Sequence, residues 1–191
     1  TTSKMQNNQN VERLIHRIQN GDQLALNTLC TEWYPRVYRY ALRFTGEVEV
    51  AKEASQLTFV SVTKSINGLK EPAAYVGWLF RITANHCRNI HKSKRYHESD
   101  ENLKVSLMAD TNPHKLMVRS QEIQAVKDAL MRIPKDQREV IILKEYEGLK
   151  FREIAGILDI SENTVKARMY YGLNALKKTL TATKEIYHEA S

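Results

Sequence analysis

The sequence has little of what nucleotide enzymes, exported proteins and membrane proteins depend on. Its seven glycines in 191 residues form neither GxxxxGK nor GxGxxG, so there is no loop to cradle a nucleotide's phosphates. The two cysteines, Cys30 and Cys87, stand apart with no CxxC pair, which argues against a disulfide framework and a zinc knuckle. His86, Cys87 and His91 cluster, but the histidines are five apart. That spacing misses the three or four residues that would put both on one helical face, and no carboxylate completes a set, so no metal is expected. Glu12, Glu32 and Glu53 make no paired-carboxylate site, so no catalytic residue and no cofactor is expected. An apolar run of about 18 residues is absent, so membrane insertion is not expected. The opening TTSKMQNNQN lacks the apolar stretch of a signal peptide, which makes cytoplasm the expectation; residues 1–10 are read as a disordered start or tag remnant.

What is present is positive charge. Lys and Arg number 29 against 22 Asp and Glu, a net +7, and the excess is local. Arg81, Arg88, Lys92, Lys94 and Arg95 fall within residues 81–97, where there is no acid. Lys166, Arg168, Lys177, Lys178 and Lys184 fall within 162–184 against Glu162 alone. Two basic stripes fit contact with a polyanion at two places, since neutralising phosphates dominates nucleic-acid affinity. Charge alone equally allows two solvated helix faces.

Apolar spacing reads as helix nearly everywhere and strict alternation is not sustained, so the expected fold class is all-α. Val11, Leu14, Ile15 and Ile18 mark a first helix ended by Asn20-Gly21, with Asp22 placed to cap the next. Leu26, Leu29, Trp33, Val37, Tyr40 and Phe44 form a second stripe, in which Pro35 predicts a kink or a split into two helices. Val48 to Leu69 is a third, with Phe59 and Val62 inward. Ala73 to about Lys94 is a fourth, with Tyr75, Trp78, Leu79, Ile82 and Ile90 inward. Residues 98–120 turn polar and read as a flexible linker between two small helical domains, 11–97 and 121–184, followed by a tail, 185–191.

The strongest local signal is Phe151 to Arg168. Ile154, Ala155 and Leu158 give one short helix an inward face, Asp159-Ile160 makes a tight turn, and Ser161 caps a second helix with Val165 inward. That pattern is a helix-turn-helix. It leaves Glu162, Asn163, Lys166, Arg168 and Tyr171 outward near a helix N-terminus, where polar side chains read base edges in a major groove.

At these residues the sequence resembles the extracytoplasmic-function sigma factors of the sigma-70 family. Ile133-Pro134 through Val140, then Glu147-Gly148-Leu149, Glu153-Ile154-Ala155 and Ile160 to Arg168 are similar to the family's fourth region. Trp78 to Asn85 is similar to its second region, and Ala51 to Phe59 resembles the acidic helix of that region. The sequence departs from the pattern with Lys150 for a capping Ser, Asp159 for a turn glycine, and Tyr171-Gly172 for a basic residue followed by Ala. Asp tolerates left-handed backbone, so the turn is expected to form.

The resemblance implies a non-catalytic subunit that gives RNA polymerase its promoter specificity. It implies minus-thirty-five duplex contacts from Ser161, Glu162, Asn163, Thr164, Lys166, Arg168 and Tyr171, and capture of the melted minus-ten strand by Asn85, Arg88, Asn89, Lys92 and Arg95. It implies docking of Glu53, Gln56 and Phe59 on the beta-prime clamp helices of core RNA polymerase, a contact of the C-terminal domain with the beta flap, and an anti-sigma partner. Two other readings remain open: a helix-turn-helix regulator that binds duplex DNA unaided, and N-terminal helices that form a protein-interaction module or, least favoured for want of any catalytic motif, a small helical enzyme.

Overall fold

The computed structural model describes the backbone of residues 2–97 and 113–189, and the surroundings of side chains 9–90, 92 and 123–181. Every regular element among the described residues is helical. The chain divides into two compact units, one built on residues 1–100 and the other on 101–155 and 159–191.

The first unit has four helices: α1 (Thr2–Gln19), α2 (Gln23–Thr45), α3 (Val48–Ser65) and α4 (Tyr75–His97). Helix α1 already begins at Thr2, inside the stretch read from sequence as a disordered start. It gives way to α2 at Gly21, whose φ of 88° suits a residue without Cβ. Asp22 then accepts the Ala25 N–H at 3.0 Å and Arg17 at 2.6 and 2.9 Å. The Ala25 N–H, and after it Arg17, hold the Asp22 carboxyl below its ordinary range. Helix α2 runs unbroken through Pro35 to the left-handed Gly46 cap, so the expected split does not occur. Pro35 is exposed, and its missing N–H removes one hydrogen bond from the solvent face without disturbing the core.

The core follows the sequence stripes. Trp33, Val37, Tyr40 and Phe44 of α2 meet Tyr75, Leu79, Phe80 and Cys87 of α4, while Val50, Ala51, Ala54 and Val62 of α3 close the third side. Trp33 and Tyr75 pack edge to face at 5.3 Å, and Tyr40 and Phe80 pack at 5.1 Å. Each such large apolar side chain contributes roughly 1.5–3 kcal/mol by leaving water. Trp78 is only half-buried, leaning on Tyr75 at 6.1 Å. Buried Ser55, Thr58 and Thr83 donate to the carbonyls four residues back, which satisfies their hydroxyls inside the core.

The second unit comprises α5 (Pro113–Arg132), α6 (Lys135–Ile141), α7 (Phe151–Leu158) and α8 (Glu162–Glu189), with a π-helical turn at Ile142–Tyr146 after α6. Helix α5 starts inside the segment read as linker, whose residues 98–112 lie outside the described residues. Ile133, Val140, Ile142, Leu143, Ile154, Val165 and Met169 form its core. Buried Arg138 donates to the carbonyls of Met131 and Ile133 at 2.7 and 3.2 Å, so acceptors left open at the end of α5 are satisfied. Helices α6 and α8 cross closely at Gly172, where an added Cβ would meet Ile141 Cδ1 at 2.9 Å and Gln137 Cβ at 3.1 Å.

Candidate nucleic-acid interface

The helix-turn-helix forms as its residues require. Asp159 takes the left-handed conformation, φ 56° and ψ 47°. The Ile160 N–H then reaches back to the Ala155 carbonyl at 3.2 Å, a Schellman closure of α7 made without glycine. Ser161 caps α8: its Oγ accepts the Thr164 N–H at 3.1 Å and lies 2.8 Å from Thr164 Oγ1. At the start of α7, Lys150 has no side-chain acceptor to offer. Its own N–H donates to Glu153 Oε2 at 2.6 Å, which supplies half of a capping box.

The residues read from sequence as duplex contacts separate into two groups. Glu162, Asn163, Lys166 and Tyr171 are exposed on α8. Ser161 and Thr164 are engaged in the cap, and Arg168 is turned aside. Its side chain is 28% exposed and holds Asp136 of α6 at 2.9 Å, so its charge ties α8 to α6. Lys166 pairs with Glu162 one turn back at 2.9 Å. Sequence reasoning missed Tyr170, which is 65% exposed, more than Tyr171, and packs against it at 5.5 Å. Counting by fours and threes from Asn163 through Ala167 to Tyr170 would have found it.

In the first unit, Asn85, Asn89 and Lys92 are exposed along α4 with half-buried Arg88 beside them. Arg88 Nη1 donates to Asn85 Oδ1 at 3.0 Å, which fixes the amide's orientation. Arg95 belongs to the same helix, but its side chain lies outside the described residues. Toward α3, His86 Nε2 and Ser61 Oγ are 2.9 Å apart, and burial lowers the imidazole pKa. Among the described residues no group of three or more His, Cys, Asp or Glu could hold a metal; His91 lies outside the described side chains.

Helix α3 presents a third surface. Glu53 and Gln56 are exposed, whereas Phe59, only 9% exposed, turns inward against Tyr34 at 5.8 Å. Leu57 (37% exposed) and Val60 (47%) continue the outer face. The spacing 53, 56, 57, 60 makes one helical stripe with apolar residues among polar ones.

The sigma-70 region 2 family model matches residues 29–96, and the sigma-70 region 4 model matches residues 123–176. The RNA polymerase sigma-H factor of Pseudomonas aeruginosa is 24% identical over 179 residues, spanning 88% of this chain and 93% of that protein. The ECF RNA polymerase sigma-E factor of Escherichia coli is 29% identical over 173 residues, 85% of this chain and 90% of its own length. Two solved structures share the fold at 21% identity. CnrH, in complex with the cytosolic domain of CnrY, has a TM-score of 0.68 over 91% of this chain and 98% of that one. RpoE of Bartonella quintana, in complex with the anti-sigma factor NepR, has a TM-score of 0.67 over 81% and 96%. With both region models matched in order on its two helical units, the chain belongs to the sigma-70 family as an extracytoplasmic-function sigma factor, a non-catalytic subunit for transcription initiation.

Proposed function

We propose that the two units read a promoter in two physical states. In this reading α8 docks in the major groove of the minus-thirty-five duplex, and α4 holds the melted non-template strand of the minus-ten element. The proposed domains are 11–97 and 121–184, with a linker at 98–120 whose last residues, from Pro113 on, already belong to α5. The observation that carries the reading is the α4 face. Asn85, with its amide oriented by Arg88, offers a fixed donor and acceptor to an unstacked base edge, and Asn89 and Lys92 lie within reach of the following backbone. A flipped base costs a few kcal/mol, and a preorganised amide beside cations offsets that cost.

The α3 stripe of Glu53, Gln56, Leu57 and Val60 is the proposed docking face for the beta-prime clamp helices of core RNA polymerase, with Phe59 supporting it from beneath. The C-terminal unit meets the beta flap. An anti-sigma partner covering these surfaces is part of the same proposal; it is supported by the NepR complex of the Bartonella relative. The protein then acts wherever core polymerase is found.

Run-off transcription with core polymerase, the full chain and a random promoter pool tests the proposal. Promoter-specific transcripts that need both proteins are expected. Folded protein that yields none, or that binds a duplex site specifically without polymerase, overturns it.

A further inference from the structure

We infer that α1 is a working part of the strand-capturing unit and that its last residue, Gln19, is a positioning residue for promoter opening, holding the loop between α3 and α4 by the Leu69 carbonyl. The inference rests on the proposed capture of the melted strand along α4. Helix α1 lies wholly before residue 29, where the match to the region 2 model begins, so the family likeness assigns it no part in that capture. Its contacts do. Gln19 Nε2 donates to the Leu69 carbonyl at 2.9 Å, across 50 residues of sequence. Helix α1 also packs against both short 3₁₀ turns of the loop, Ile66–Gly68 and Pro72–Ala74.

The two sides of this bond differ in how firmly they are held. On α1 the corner is fixed: Ile18 is buried, Arg17 grips Asp22 at 2.6 Å, and the Asn20, Gly21 and Asp22 N–H groups close back on the last turn of the helix. On the loop, Ile66 is buried and accepts the Leu69 N–H at 3.1 Å, but residues 69–71 belong to no helix. Leu69 is extended, φ −74° and ψ 100°, and beside it Asn67 and Lys70 are exposed. An amide and a cation so placed suit the bases and phosphates of an unpaired strand. The loop leads into α4, whose exposed Arg81, Asn85, Asn89 and Lys92 follow at helical spacing. From Asn85 back to Tyr75 the helix spans about 15 Å, so a strand running along that face toward the helix start comes to the loop within a few nucleotides. Ordering a loop on binding costs affinity; Gln19 orders it beforehand. Because the bond is open to water, its loss should show in the loop and in strand capture while Tm hardly moves.

Holoenzyme reconstituted from core polymerase and the full chain tests the assignment, with opening followed by permanganate reactivity of unpaired thymines. Gln19→Ala and Gln19→Glu, neither of which can donate, should slow opening by about 2- to 10-fold, with polymerase affinity and Tm unchanged. Asn20→Asp, which adds the same charge as Gln19→Glu one residue from the bond, should open as wild type does. Amide exchange of residues 66–71 in the free chain should quicken in both Gln19 variants. Combined with Lys70→Ala, Gln19→Ala should add less than its separate loss, whereas combined with Asn85→Ala it should add in full. Wild-type opening in both Gln19 variants while Asn85→Ala is slow would overturn the inference and leave strand capture on α4 standing. A fall in Tm and polymerase affinity that matches the slower opening would also overturn it, making Gln19 a structural residue. Normal opening in Asn85→Ala as well would overturn the capture itself, and the inference with it.

Discussion

Whether a side chain on α8 serves the fold or the DNA turns on a rotation of some tens of degrees about the helix axis. Arg168 and Lys166 are both cations two residues apart, yet one is bound to α6 and the other lies on the surface. The sequence shows the charge of each but not its partner, because Asp136 is thirty-two residues away and its approach depends on how α6 crosses α8. Gly172 is governed by the same crossing. Alanine there would gain about 1 kcal/mol of helix propensity but must displace Ile141 and Gln137, and overpacking of this kind costs about 1–3 kcal/mol. Gly156, also within a helix, has no atom within 4 Å of the corresponding Cβ position. Gly156→Ala is therefore expected to raise unfolding stability by about 0.5–1 kcal/mol, and Gly172→Ala to give no gain or a loss. Paired urea denaturations measure both; an equal gain at the two sites would mean that the crossing is looser than the geometry indicates.

Among the elements, helix positions were the most legible part of the sequence, since core stripes recur every three or four residues and Asp22, Gly46, Asp159 and Ser161 mark ends by local chemistry. The exceptions have local reasons. Pro35 leaves α2 whole because it falls on the solvent face. Phe59 belongs to the core stripe of α3, and the family likeness drew it into the docking set; its neighbours Leu57 and Val60 carry the exposed apolar area instead. Val60→Glu should leave Tm nearly unchanged, as surface changes do, and weaken binding to core polymerase about tenfold or more. Unchanged affinity in a binding titration would remove α3 from the interface.

The contact between α3 and α4 also carries a titratable link, Ser61 with His86. Burial holds the folded imidazole below its ordinary 6.5, so the unfolded chain binds the proton more readily. Stability from this group is present above about pH 6.5 and is lost as pH falls toward the depressed value. His86→Gln should flatten that part of the stability curve relative to wild type, as read from Tm between pH 7.5 and 5.5. A curve of unchanged slope would assign the acid sensitivity to other groups.

For the molecule as a whole, the division into two helical units and the placing of one basic stripe on each could be read from composition and motif order. The division of labour among surfaces could not, because it depends on which sides of α3, α4 and α8 remain outside after packing. The proposed docking stripe on α3 and the proposed reading face on α4 are on different helices of one unit, so polymerase binding and strand capture should respond to different substitutions. Asn85 is the sharpest place to separate them. It is exposed, its orientation depends on Arg88, and its removal leaves the core untouched. Asn85→Ala should retain full affinity for core polymerase while slowing promoter opening, followed by permanganate reactivity of unpaired thymines. Arg88→Ala should reproduce part of that defect by freeing the amide, and the double variant should be less impaired than the two losses summed, as expected for residues that act as one unit. On a promoter with an already mismatched bubble the cost of strand separation is removed, so the Asn85→Ala defect should shrink there. Equal loss of polymerase binding and opening would make Asn85 a structural residue and leave α4 without its proposed reader.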